Sequence, residues 1–364
     1  DHQSCQFLSK RAPDENHDFT WKEVTTTRGG ELAEILGDQL RSVDSLVVKG
    51  NVNDKDFHAM WDASLYGYLS VINLKNAVLE NNAVPDTAFF HENEQYEGSS
   101  HEIFYYIGLR KIILPEGLEK IGEGAFYQAS ALRQVNFPST LRYIGDFAFN
   151  ATKLEMNQLV IPEGVEEINQ YAFAFCRKLK AQVTLPSTIK KIGEWAFYGC
   201  PITSINLPEG LESLGSLAFW DCDLREVSIP SSCHEFNEGW QFGFNRNLEK
   251  MHLPEGMTEI PDHFAVDCFR LREVNFPHTL KHIGEKAFSL CISLKNVDLP
   301  LGMQSLGEEA FSELEALEQI VFPASMKSLG KNSCSYWKNI KRIYCAAMEP
   351  PVCDPTDGGV FSGF

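Results

Sequence analysis

Ten prolines dictate what this chain can become. Pro115, Pro138, Pro162, Pro186, Pro208, Pro230, Pro254, Pro277, Pro300 and Pro323 follow one another at intervals of 22 to 24 residues. Each closes a short apolar stretch such as Val135-Asn136-Phe137-Pro138. A fixed period in this range marks a repeat protein, whose modules cannot bury their own apolar faces and must stack on their neighbours. Around every proline runs one pattern, Leu-x-x-Val-x-Leu-Pro-Glu-Gly-Leu-x-x-Ile-Gly-x-x-Ala-Phe-x-x-Cys-x-x-Leu, with a clear copy from Ile205 to Leu224.

The spacing gives the physics of one module. In Val135-Asn136-Phe137 apolar residues alternate, so a short strand points Val135 and Phe137 inward and Gln134 and Asn136 outward. Proline ends the ladder because it has no amide hydrogen to donate. Leu141 and Ile144, three apart, predict a helical or 3-10 turn, after which Gly145 redirects the chain and Phe149 fills the interior. Stacking then pairs each strand with the next, giving an α/β-type solenoid of short parallel strands with irregular or 3-10 turns opposite. Eleven strands are expected, from 111–114 to 342–345.

At these residues the sequence resembles the BspA-like, or treponemal-type, leucine-rich repeats, over about Ile107 to Cys345. The recurring Ile-Gly-x-x-Ala-Phe-x-x-Cys carries the likeness. It implies a secreted or surface-attached bacterial protein, in places a lipoprotein, that binds host proteins or other cells and has no catalytic motif. The altered pairs Gln241-Phe242, His263-Phe264 and Ser333-Cys334 depart from the pattern.

Five segments follow. Residues 1–19 read as a tail or linker, and 20–44 as an N-terminal cap, because Gly30 to Leu36 has helical spacing and would cover the first strand. Residues 45–106 read as diverged repeats with a polar insertion at 92–100, 107–345 as the regular repeats, and 346–364 as a C-terminal cap or partial repeat. Net charge is −18, with no basic block, which argues against nucleic acid and anionic membranes as partners. No apolar run approaches the ~18 residues of a membrane-spanning helix, and residues 1–11 lack the apolar segment of a signal peptide. The expectation is a soluble, processed or trimmed form, with a possible lipid anchor upstream of Asp1, and a monomer or weak self-associating species.

Cysteine would ordinarily point to disulfides in a secreted protein. Here Cys176, Cys200, Cys222, Cys268 and Cys291 occupy one repeat position, and Asn245 takes that position in the intervening turn. Both side chains can donate to loop carbonyls, so the column reads as a buried ladder of structural thiols. Cys233, Cys334 and Cys345 replace core residues; Cys5 and Cys353 fall outside the pattern. Other motifs dissolve into the repeat. Gly122-Glu123-Gly124 is a turn, not a phosphate loop; His278 and His282 lack a third metal ligand; Asp54 and Asp56 suit a helix start better than calcium. No cofactor and no enzymatic activity are expected.

Two surfaces are left for a partner protein or glycan. The outward strand positions include Gln182, Ser204, Glu226, Lys250 and Glu273 in one column and Thr184, Asn206, His252 and Asn275 in the next, on what should be a concave face. The second surface is aromatic: Phe147, Tyr171, Trp195, Tyr198, Trp220 and Trp240 flank the Ala-Phe pair, and Trp and Tyr are interface anchors. Later turns replace the first aromatic by Lys286 and Glu309, so folding does not demand one. The reading is a recognition protein for adhesion or host interaction; the alternative is a structural component that mediates self-association or cell–cell adhesion.

Overall fold

The computed structural model of the chain describes residues 16–91, 107–353 and 359–363. Cys5, most of the expected tail and the polar insertion lie outside them. The molecule divides into two compact units, Asp1–Leu179 and Lys180–Phe364, each built from stacked turns.

In the first unit, Trp21–Thr26 pairs in parallel with Ser45–Val52, which pairs with Val71–Asn73, then Lys111–Ile113, then Gln134–Val135. The opening strand lies inside the segment expected to be only a helical cover. The helix there is Leu32–Leu36, with Leu32 and Leu36 buried. A longer helix, Asp54–Tyr66, follows. Its N-cap is Asn53, whose side chain accepts from Lys55 N, while Asp56 reaches back to Asn53 N at 2.9 Å to complete a capping box. Asp56 also accepts from Gly30 N and Leu32 N, so one buried carboxylate holds the starts of both helices.

The predicted helical turn at Leu141–Ile144 is corrected. A single bond from Leu141 N to the Pro138 carbonyl closes a turn, and Tyr143–Ile144 is then extended. Ala83–Val84, Lys120–Ile121, Tyr143–Ile144 and Glu167–Ile168 form a second parallel sheet. Extended pairing wins because every turn presents the same two residues to its neighbours, so inter-turn bonds replace a helix that a four-residue stretch cannot propagate. Gly145 does open a turn, closed by the bond from Ala148 N to its carbonyl at 3.2 Å. A Cβ there would lie 2.6 Å from Glu123 N, so glycine is needed where adjacent turns touch.

A third face runs through Ala-Phe. Phe147 and Ala151 take left-handed φ of 57° and 58°, and the amides of Phe147, Phe149 and Ala151 donate to Gln170, Ala172 and Ala174. Bonding to the next turn is what holds non-glycine residues in this costly region. Inside, Phe89, Phe126, Phe149 and Phe173 stack ring on ring at 5.2 to 5.4 Å. At about 1.5–3 kcal/mol for each buried ring, this column is a main source of cohesion.

The second unit repeats the plan. Gln182–Thr184 pairs with Ser204–Ile205; Glu226–Ser228, Lys250–His252 and Glu273–Asn275 form a further sheet; Gln319–Phe322 pairs with Arg342–Cys345. The strand expected near 296–298 makes no ladder, although Val297 is buried. The second unit has its own counterpart of the second sheet, Lys191–Ile192 with Ser213–Leu214, and then Glu259–Ile260, His282–Ile283, Ser305–Leu306, Ser328–Leu329 and Val352–Cys353. Between these runs only Ser213 and Glu235 bridge. Cys345 is exposed rather than core, because its strand pairs on one side alone among the described residues.

Candidate functional site

The outward sheet positions lie in the second unit in register. Glu226, Lys250 and Glu273 are cross-strand partners, as are Ser228, His252 and Asn275. Their charges are largely matched. His252 Nε2 lies 2.9 Å from Glu226, Lys250 Nζ 3.7 Å from Glu273, and Arg272 reaches both Glu249 and Glu273. Surface pairs of this kind contribute little stability each, but they set the sign pattern a partner would meet.

The asparagines of this face are already engaged. Asn206 accepts from Leu185 N at 2.7 Å and donates to the Leu185 carbonyl at 3.1 Å. Asn275 does the same to Leu253, and in the first unit Asn136 does so to Leu114. Each amide completes the ladder where the strand stops before proline. Gln182, Thr184, Ser204 and Ser228 are exposed, small or flexible, and leave the face accessible.

The aromatic positions fall in two groups. In the first unit Phe147 and Tyr171 stack at 4.6 Å, and Tyr127 packs edge-on against Phe147. In the second, Trp195 lies 4.2 Å from Tyr198, while Trp220 packs on Trp240 and Phe244. All are half-buried. Trp240 stacks on His263 at 3.5 Å, and burial pulls the imidazole below its ordinary pKa. Trp195 and Trp240 share the left-handed position with His263, Lys286 and Glu309. The aromatics therefore pack on one another in stacked, tilted and edge-on pairs, each staying half-exposed.

The cysteine column is the buried ladder read from the sequence. Cys176, Cys222, Cys268 and Cys291 donate at 3.1 to 3.3 Å to carbonyls of the preceding turn, and Asn245 donates to both Phe219 and Phe242. Trp337 extends the column, its Nε1 bonding the Phe311 carbonyl at 2.7 Å. Burial pushes the Cys268 and Cys334 thiols up to about 12, which makes them poor nucleophiles. His278 and His282 turn to different partners, Glu255 and Ser305. Among the described residues no group of three or more His, Cys, Asp or Glu side chains is placed to hold a metal ion.

One feature escaped the sequence reading: a cavity of about 470 Å³ in the second unit, between residues 231–238 and 254–262. The signal was present as a spacing. Leu214 and the left-handed Leu217 are three residues apart, whereas Phe236 and Trp240 are four apart.

These turns match a family model described as a BspA-type leucine-rich repeat region, six copies, over residues 99–183, 180–281 and 263–348. The chain belongs to this family. Of solved structures, this BspA-type chain is similar to a leucine-rich repeat protein from Bacteroides ovatus, at 20% identity and a TM-score of 0.61, over 91% of each chain. A leucine-rich cell surface protein from Faecalibacterium prausnitzii matches at 20% identity and a TM-score of 0.40, over 77% of this chain and 83% of that one. The Treponema pallidum leucine-rich repeat protein matches at 24% and 0.36, over 50% and 78%. No curated protein matches significantly. Leucine-rich repeat regions are typically binding scaffolds and not enzymes. No helix among the described residues is long and apolar enough to cross a membrane.

Proposed function

We propose that this BspA-type protein is a secreted or surface-displayed bacterial recognition protein, without catalytic activity, that binds a protein or glycan through the outward sheet face of its second unit. The observation that carries this reading is the set of outward side chains in parallel register, Gln182 with Ser204 in one sheet and, in the next, Glu226 with Lys250 and Glu273 and Ser228 with His252 and Asn275, most of them exposed. Such a face offers many shallow polar contacts at fixed spacing, which suits an extended partner. The aromatic clusters come second because their rings are half-buried against each other, while their exposed parts can still anchor a partner at the flank of the same unit.

The test immobilises the protein against a panel of extracellular-matrix proteins and glycans, beside two variants of unchanged melting temperature. Ser204→Arg with Ser228→Arg places bulk on the outward face without touching the core; Trp195→Ala with Trp220→Ala removes the aromatic edges. Loss of binding in the serine variant alone supports the sheet, and loss in the tryptophan variant alone moves the contact to the aromatics. If neither partner class binds and the particle mass rises with protein concentration, the self-associating surface component replaces the recognition reading.

A further inference from the structure

The cavity between residues 231–238 and 254–262 exists because one turn is longer than its neighbours. Asn237 and Gly239, with φ of 45° and 95°, absorb the extra residue. The second sheet then lapses, since Glu235 pairs back to Ser213 and Leu214 but not with Glu259–Ile260, which pairs onward with His282–Ile283. Neighbouring turns that elsewhere zip together here stand apart. Gly239 itself is pinned, because a Cβ there would lie 2.2 Å from the Asp262 carbonyl, so the opening is fixed by backbone contact.

Its lining is two-sided. Cys233, Phe236 and Met257 are buried and give an apolar wall. Glu238, Glu259 and Asp262 are exposed along the rim, and no lysine or arginine lines the space. Asp262 spends one oxygen on the Glu285 amide at 2.7 Å, whereas among the described residues Glu238 and Glu259 form no ion pair within 4 Å. The one basic lining group, His234, bonds the Ser232 carbonyl through Nδ1 and lies 4.0 Å from Glu235. Some carboxylates elsewhere on this unit are matched, as at Glu226, Glu249 and Glu273. The rim is thus an uncompensated negative site beside an apolar wall.

We propose that this groove receives an arginine side chain of a partner protein. Lying along the groove, the methylene stem covers Phe236 and Met257 while the planar guanidinium meets the rim carboxylates, for which its forked donors are suited. The proposal rests on the recognition reading for its biological partner, but the groove's chemistry is testable alone.

The experiment uses the full chain with [methyl-13C]methionine, the Met257 signal being assigned through Met257→Leu. The probes are Nα-acetyl-arginine methylamide and its neutral isostere Nα-acetyl-citrulline methylamide. The arginine probe is expected to shift the Met257 methyl saturably, with a midpoint on the order of 1 mM for a ligand of this size, and to leave Met303 and Met326 unmoved. The citrulline probe shifts nothing, and Glu238→Gln with Glu259→Gln, both exposed, raises the midpoint about threefold or more. No shift at ten times that concentration, an equal response to citrulline, or an unchanged midpoint in the double variant overturns the proposal. A partner found in the panel while Met257 stays silent removes the groove and leaves the recognition reading; a Met257 response with no macromolecular partner does the reverse.

Discussion

Asn245 should be worth more than any cysteine of the column it interrupts. Its side chain is fully buried and makes three bonds: Nδ2 to the Phe219 carbonyl at 2.7 Å and the Phe242 carbonyl at 2.8 Å, and Oδ1 from Leu224 N at 3.2 Å. Asn245→Ala leaves the Phe242 carbonyl its bond from Cys268, but strands the Phe219 carbonyl and the Leu224 amide. At about 1–3 kcal/mol for each buried orphan, the loss is about 2–6 kcal/mol. Asn245→Cys restores what Cys222 does for Phe197, a thiol bond to the preceding carbonyl, and strands only the Leu224 amide. Its loss should be about 1–3 kcal/mol. Urea unfolding followed by far-UV circular dichroism gives the order wild type, Cys variant, Ala variant, and hydrogen exchange at Leu224 N accelerates in both variants. Equal loss in the two, or a neutral Asn245→Ala, refutes the view that this column stabilises by satisfying carbonyls rather than by filling volume.

Three further outcomes follow from the same geometry. In a Cys5→Ser background the native protein should expose two thiols to iodoacetamide at pH 8, Cys345 and Cys353, with the seven buried ones protected until urea is added; mass spectrometry counts the adducts. Stability should fall as pH rises above 9. The folded state keeps protons on Cys268 and Cys334 up to about 12 that unfolded thiols release near 9, so the urea midpoint is lower at pH 10.5 than at pH 8, and less so after Cys268→Ala with Cys334→Ala. Gly307→Ala sets a Cβ 2.7 Å from Glu285 N and should cost about 1–3 kcal/mol, whereas Gly302→Ala meets open space and should be nearly neutral in the same melt.

The period alone made the stacked parallel strands legible, since alternation around Val135 and the proline stop need no tertiary information. The Phe column and the carbonyl-bonding cysteines were equally readable, because identical positions in stacked turns must touch. The second sheet was not, for Leu-x-x-Ile suits a turn of helix and an extended pair alike, and only the neighbouring turn decides between them. Trp21–Thr26 was hidden because its buried residues, Val24 and Thr26, make too short an alternation to signal a strand. Cys345 followed the repeat, but its strand pairs on one side alone among the described residues and it stays exposed. The outward columns could be named from the strand pattern, yet sequence could not show that Asn206 and Asn275 are committed to leucine backbone, nor that the aromatics pack on one another. The groove lay beyond composition or motif: its cause is one residue of extra length at Asn237–Gly239.

That extra residue also bears on how the second unit comes apart. Stacked turns hold together mainly through nearest-neighbour interfaces, and most interfaces here are stitched along three faces. Between the turn at 231–244 and the turn at 254–266 the amides of Trp240, Phe242 and Phe244 still reach Asp262, Phe264 and Val266, but the second sheet contributes no backbone bond among the described residues. Pulled from its ends, the unit has a seam at which rupture can pause, with the turns up to Glu235 and those from Glu259 onward yielding as separate steps. A mutation that closed the groove would remove that pause, tying mechanical compliance to the same residue that opens the site.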